Sequence, residues 1–318
     1  MLLIYPAIPR TINQVDVMQN VIAIIWDFDK TLINGYMQSP IFEDYQVDEK
    51  EFWTEVNNMP KEMKEFGVRV NPDTAYLIHF TRKAKDGTFK GLNNAKLREY
   101  GAKQKFYAGI PEFLQKSKEI LKDNPECKEY NIRIEHYIVS TGFAEVIKGT
   151  SLKDLVEDIW GCELIEGKGI EDEPVISEIC YTIDNTTKTK AIFEINKGVN
   201  KNEKINVNSK MNDTQRRVAF ENMIYIADGP SDVPAFSLVK KYGGSTFAIY
   251  PKGDARAFKQ VEQLREDDRI DMFAEADYTE GSTAYMWIVN KIKEYAERII
   301  QVERNRRAVV SESPQHLV

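Results

Sequence analysis

Val21-Ile22-Ala23-Ile24-Ile25-Trp26-Asp27-Phe28-Asp29-Lys30-Thr31-Leu32 decides how this chain folds. Six apolar, mostly β-branched residues read as a buried strand, and the run stops abruptly at two carboxylates. In an extended chain residues i and i+2 point to the same side. Asp27 and Asp29 therefore address one site beyond the strand's carboxyl end, where open α/β sheets place their ligands. A buried strand has no structural use for two such charges, because each is costly to desolvate unless paired or metal-bound. Thr31 follows two residues after Asp29 and makes the paired-carboxylate signal more specific.

Working outward, strand signals recur at 134–139, 223–227 and 245–250, with helical patterns at 109–122, 143–159 and 187–197. This alternation predicts an α/β fold, a Rossmann-like and mostly parallel sheet. Residues 34–104 interrupt it. They are rich in Glu, Lys, Asn and aromatics and read as helices, for example 48–66 and 72–85. The domain reading is a discontinuous core, 1–33 and 105–300, with an inserted helical cap, 34–104, and a flexible tail, 301–318. Gly35 and the segment near Gly101 are the expected hinges. Residues 161–186 read as a hairpin excursion, and the Asn- and Lys-dense stretch 198–215 as a surface loop.

Composition narrows the function classes. A chain of 318 residues can bury a real core. Its net charge of −7 argues against a general nucleic-acid binder. Cys127, Cys162 and Cys180 form no CxxC pair and predict thiols in a reducing cytoplasm. His79, His136 and His316 are scattered, so no zinc site is expected. Met1–Tyr5 lacks the basic and long apolar regions of a signal peptide, and no run is long enough to span a membrane. Trp53, Trp160 and Trp287 carry no interface pattern, which leaves the oligomeric state open.

Three further segments carry chemistry. Val139-Ser140-Thr141-Gly142-Phe143 ends the second strand. Ser140 can donate from its side chain while the Thr141 and Gly142 N–H groups open toward an anion; taken alone, the same segment reads as a Ser N-cap. Lys188, in Thr186-Thr187-Lys188-Thr189-Lys190, stands at a helix N-terminus, where a cation opposes the helix dipole and points to a local anion. Lys190 competes with it, but Ala191, Ile192 and Ile195 fall at +3, +4 and +7 on the Lys188 face. Met223-Ile224-Tyr225-Ile226-Ala227-Asp228-Gly229-Pro230-Ser231-Asp232 is a second strand ending in Asp, with another Asp after a turn. Asp228 and Asp232, with Asp27 and the backbone carbonyl of Asp29, would form a hard oxygen cage suited to Mg²⁺.

The order Asp-x-Asp-x-Thr, Ser, Lys, Asp-x-x-x-Asp resembles the haloacid dehalogenase (HAD) superfamily of phosphohydrolases over residues 21–33 and 106–285. The spacing is most similar to its phosphoserine-phosphatase-like branch with a helical cap. Thr141 stands where that branch often has Gly, and Ala227 where it often has Gly. The resemblance implies a Mg²⁺-dependent, cytoplasmic phosphatase acting on a small phosphorylated metabolite, with no nucleic-acid or membrane partner. It implies Asp27 as nucleophile, Asp29 as general acid and base, and Ser140 and Lys188 on the phosphoryl oxygens. It also implies Asp228 as a metal ligand and Asp232 as a water-mediated ligand or a partner of Lys188. The superfamily's dehalogenases lack the second Asp, because a halide leaves without a proton; Asp29 thus points to phosphoryl chemistry. Phosphotransferases and mutases share the same aspartyl-phosphate and form the alternative, with a non-catalytic regulatory member behind them. Glu43, Arg69, Phe42 and Tyr45 are the cap residues considered for substrate contact.

Overall fold

The chain builds one seven-stranded sheet, in the order β4-β3-β2-β1-β5-β6-β7, in a computed structural model that describes residues 18–311. The strands are β1 (Val21–Trp26), β2 (Arg133–Phe143), β3 (Asp158–Lys168), β4 (Pro174–Tyr181), β5 (Met223–Ala227), β6 (Ser245–Tyr250) and β7 (Met272–Glu275). All pairs are parallel except β3–β4, the expected hairpin. Every residue of β1 and of β5 is buried, as strands covered on both faces require. The chain leaves β1 toward β2 and later returns on its other side as β5. That reversal makes a topological switch point at β1, where a crevice opens beyond the strand ends.

The inserted block carries four helices: α1 (Ser39–Tyr45), α2 (Glu49–Glu65), α3 (Ala75–Lys85) and α4 (Asn94–Gly101). Asp48 caps α2 by accepting from the Glu51 N–H, and Asn93 caps α4 through the Lys96 N–H. Their interior is aromatic: Phe42, Phe52, Phe80 and Phe89 stack on one another, and Phe143 of β2 joins through Phe80. The core helices are α5 (Glu112–Ser117), α6 (Pro125–Glu129), α7 (Ala144–Lys148), α8 (Thr187–Lys197), α9 (Val233–Lys241), α10 (Ala255–Glu266) and α11 (Thr283–Ser311).

Several expected boundaries are corrected. The helix read at 143–159 runs only over α7, because Gly149, Thr150 and Ser151 break it and 158–160 pair with β2 instead. The helix read at 109–122 is confined to α5, since Gly109 takes a left-handed φ of +86°. Gly101 is not a hinge. A Cβ there would lie 2.3 Å from the Val146 carbonyl oxygen, and one on Gly149 would lie 2.0 Å from that of Arg98, so α4 and α7 cross in close backbone contact. The flexible tail expected from residue 301 is corrected over the described residues. Residues 301–311 continue α11, held by burial of Ile299, Ile300 and Glu303 and by Arg304–Glu126 and Arg307–Glu129 ion pairs. Residues 312–318, with His316, and the segment Met1–Tyr5 lie outside the described residues. Residues 198–215 form turns and short 3-10 segments, as expected. No described helix is long and apolar enough to cross a membrane.

Candidate active site

Adjacent strand ends bring the acidic motifs together. β1 and β5 pair in register Trp26↔Ile226, and the Asp27 N–H extends the ladder to the Ile226 carbonyl (2.9 Å). Asp27 and Asp228 therefore emerge side by side. Lys188, on the first turn of α8, reaches in from the hairpin side. Its ammonium donates to Asp27 Oδ1 (2.7 Å) and Asp232 Oδ1 (2.6 Å). Lys190 instead faces Glu194 at 3.6 Å and is largely exposed. Asp232 also accepts from the Tyr225 hydroxyl (2.6 Å) and from Ser231 Oγ (2.9 Å). Thr31 Oγ1 donates to Asp27 Oδ2 at 3.4 Å, and the Thr31 carbonyl accepts from Tyr278. Lys30 turns the chain after Asp29 with a left-handed φ of +55°, its N–H bonded to the Gly35 carbonyl.

Carboxylate oxygens of Asp27, Asp228 and Asp232 lie within 4.8 Å of one another. Burial, opposed by Lys188, pushes Asp27 up to about 6. Burial and the charges of Asp27 and Asp232 push Asp228 up to about 7. Asp29 is raised well above the usual carboxylate range, by burial and then by Asp27. Burial works against the Lys188 ammonium, but Asp232 and Asp27 outweigh it and hold its pKa above the ordinary lysine value. Each shift has the same origin: several acids share one enclosed space with one buried cation.

The donor set fits a divalent, oxygen-seeking cation. The Asp228 carboxylate has no hydrogen-bond donor among the described residues, although it is mostly enclosed. Asp27 keeps oxygen lone pairs beyond those used by Lys188 and Thr31. Asp232 is the poorer ligand, because Lys188, Tyr225 and Ser231 already occupy it. Of its two expected roles, the geometry displays the partnership with Lys188. The Asp29 side chain turns away from the cluster, its Oδ1 accepting from the Met37 N–H (2.9 Å).

The second motif differs from expectation in its donors. Ser140 is fully buried, and its Oγ accepts the Gly142 N–H (3.0 Å), so that N–H is committed locally rather than open to an anion. Met37 explains Gly142: a Cβ there would lie 2.2 Å from the methionine methyl carbon. The Phe143 N–H meets Met37 Sδ at 3.1 Å. The Thr141 carbonyl accepts from Tyr76 of α3 (2.6 Å) and from Cys162 Sγ (3.3 Å). The inserted helical block thus packs on the second motif, and Asp27 is 5% exposed.

The structure does not bring the four cap candidates to this centre. Phe42 is buried in the aromatic interior, and Tyr45 donates to the Lys90 carbonyl. Glu43 lines an outer cleft with Tyr36, Ser39, Lys103 and Lys105, and Arg69 is exposed. Met37, Tyr76 and Tyr225 touch the motifs unforeseen. Met37 acts through a backbone N–H and a thioether, which no motif encodes. Tyr225 carried a faint signal, standing inside the strand that delivers Asp228.

No family model matches the chain. An uncharacterized protein of Borreliella burgdorferi is 36% identical over 288 residues, which cover 86% of this chain and 97% of that protein. Among solved structures, a HAD family hydrolase from Salmonella enterica serovar Typhi superposes with a TM-score of 0.51 at 16% identity, over 80% of this chain and 67% of that one. A "probable phosphoserine phosphatase" from Vibrio cholerae gives 0.48 at 13% identity, over 91% and 68%.

Proposed function

We propose that this chain, which belongs to one family with the Borreliella protein and to the haloacid dehalogenase superfamily by its fold and motif order, is a Mg²⁺-dependent phosphatase of small phosphomonoesters. The observation that carries this reading is the buried Lys188 bridge between Asp27 and Asp232, set beside the donorless Asp228 carboxylate.

The chemistry follows from which group holds which proton. Lys188, fixed by Asp232 and Tyr225, favours the ionised form of Asp27 against burial. An Asp27 oxygen attacks phosphorus, forming an aspartyl-phosphate as the ester P–O bond breaks. Burial and the Asp27 charge raise Asp29 and favour its protonated form, and the Met37 N–H orients the carboxyl. Asp29 gives that proton to the leaving alkoxide. It then takes one from water as the water oxygen attacks phosphorus, freeing phosphate and regenerating Asp27. Lys188 and Ser140 donate to the phosphoryl oxygens during both in-line displacements. Asp27, Asp228 and the Asp29 carbonyl would hold Mg²⁺, which supplies charge neutralisation for those oxygens. Burial of Asp27 beneath the cap supports a small substrate whose entry requires the cap to move. Cys127, Cys162 and Cys180 are all unpaired, which supports a cytoplasmic setting.

The test is phosphate release from a panel of small phosphomonoesters, with and without Mg²⁺, for the wild type and Asp27→Asn. Mg²⁺-dependent release that Asp27→Asn abolishes is the expected result. A folded wild type that releases phosphate from none of them, or an Asp27→Asn variant as active as wild type, overturns it.

A further inference from the structure

The chain returning from the cap, residues 105–109, is tied tightly to the first motif. The Asn34 N–H donates to the Lys105 carbonyl, Ile33 bridges to Phe106, and the Tyr107 N–H donates to the Leu32 carbonyl (3.0 Å). Ala108 accepts from the Tyr278 N–H (2.8 Å), and Gly109 presses on the Tyr278–Thr279 backbone. This loop holds Tyr107 in place, with 8% of its surface exposed. Its hydroxyl is buried and has no hydrogen-bond partner among the described residues.

Among the described residues no other tyrosine hydroxyl is buried without a partner. Tyr100, Tyr137, Tyr225, Tyr278 and Tyr295 each place theirs on an acceptor. A buried hydroxyl left without a partner costs stability, and such groups in native proteins call for an explanation. The Tyr107 N–H bond to Leu32 seats the residue beside the loop of the first motif, and Asp228 and Asp254 are the carboxylates whose charge reaches its hydroxyl. Asp228 has an acceptor with no donor; Tyr107 has a donor with no acceptor; and the two do not bond to each other. An oxygen layer between them satisfies both.

We propose that Tyr107 is a positioning residue whose hydroxyl donates to the oxygen shell held at Asp228 when the site is loaded. That shell is a water of the bound cation or a phosphoryl oxygen of the substrate. The inference rests on the metal-dependent reading above and adds a residue that orients the shell.

The experiment uses the full chain with Tyr107→Phe, which removes one oxygen and keeps the ring. Chemical denaturation in EDTA reads the metal-free protein, and calorimetric titration reads Mg²⁺ alone, then vanadate at saturating Mg²⁺. The variant should be at least as stable as wild type in EDTA, since it loses no bond. One of the two ligands should bind about 3- to 10-fold more weakly, the factor expected for one hydrogen bond. Weakening with Mg²⁺ alone assigns the bond to a metal-bound water; weakening with vanadate only assigns it to a phosphoryl oxygen. In kinetics at saturating Mg²⁺, the second case raises KM and the first leaves it unchanged. Wild-type affinities for both ligands, or lower stability in EDTA, overturn the role of Tyr107. A wild type that binds no Mg²⁺ overturns the metal-dependent reading itself, an outcome read on a different protein.

Discussion

Replacing Lys188 with methionine tests the electrostatic design of the site most directly. The Lys188 ammonium lies 2.7 Å from Asp27 and 2.6 Å from Asp232, and all three groups are buried. Removing one partner of a buried ion pair leaves an uncompensated charge and costs about 3–5 kcal/mol. With roughly 2.1 cal/mol/K of unfolding entropy per residue, a chain of this size loses roughly 5–8 °C in Tm. The loss depends on pH, and its sign follows from the carboxyls. Without Lys188 the folded pKa of Asp27 climbs further above the unfolded one, so the folded form binds more protons. Stability is then lowest above the folded pKa values and recovers as pH falls toward the ordinary carboxylate range. Denaturation in EDTA should therefore show a larger deficit at pH 8 than at pH 5. Adding Asp232→Asn to Lys188→Met should restore part of the deficit, because the second change removes the anion the first left stranded. A Lys188→Met protein as stable as wild type at pH 8, or strictly additive single changes, would refute the reasoning.

The same linkage applies to the unaltered protein. Asp27 at about 6 and Asp228 at about 7 lie above their unfolded values, so these two carboxyls should add metal-free stability as pH falls from 8 toward 5, opposed by His136, which burial keeps neutral while the unfolded imidazole charges. Saturating Mg²⁺ should remove the carboxyl contribution, and urea midpoints whose pH dependence is the same in EDTA and in Mg²⁺ would contradict it. At the cap's attachment, Gly149→Ala places a methyl 2.0 Å from the Arg98 carbonyl oxygen. It should destabilise by about 1–3 kcal/mol through forced separation of α4 and α7, and an unchanged melting temperature would show that the crossing yields freely.

The parts of this molecule legible in sequence are those where residue type and function coincide. β1 and β5 announce themselves because an apolar run stops at an acid, and α8 because Ala191, Ile192 and Ile195 share a face that ends at left-handed Gly198. Lys188 was separable from Lys190 on the same helical phase, and the structure buries one and leaves the other with Glu194. The helix over 143–159 was misread because its apolar spacing continues past Gly149, whose close approach to Arg98 depends on a helix far away in sequence. α11 went unread although Ala284, Ile288, Ile292, Tyr295, Ala296 and Ile299 form a continuous buried stripe; charges on its outer face masked the period. Met37 and Tyr107 were beyond reach. One contributes a backbone N–H and the other an unpartnered hydroxyl, and neither has meaning until the tertiary fold supplies its neighbours.

Met37 also links cap position to proton chemistry. Its N–H is the only hydrogen-bond donor to the Asp29 carboxylate among the described residues, while its thioether covers Gly142 and meets the Phe143 N–H. Three anchors hold the neighbouring cap surface: Tyr76 on the Thr141 carbonyl, the Gly101–Gly149 crossing, and the Ile176 N–H on the Leu92 carbonyl. They tie α3 and α4 to β2, α7 and β4, whereas Met37 sits on the segment joining β1 to α1. On the proposed reading, lifting this segment to admit a substrate would take the orienting N–H away from Asp29 and uncover the second motif in one step. Asp29 would then be oriented for proton transfer only with the segment seated, so that transfer and the exclusion of bulk water would be conditions met by the same residue.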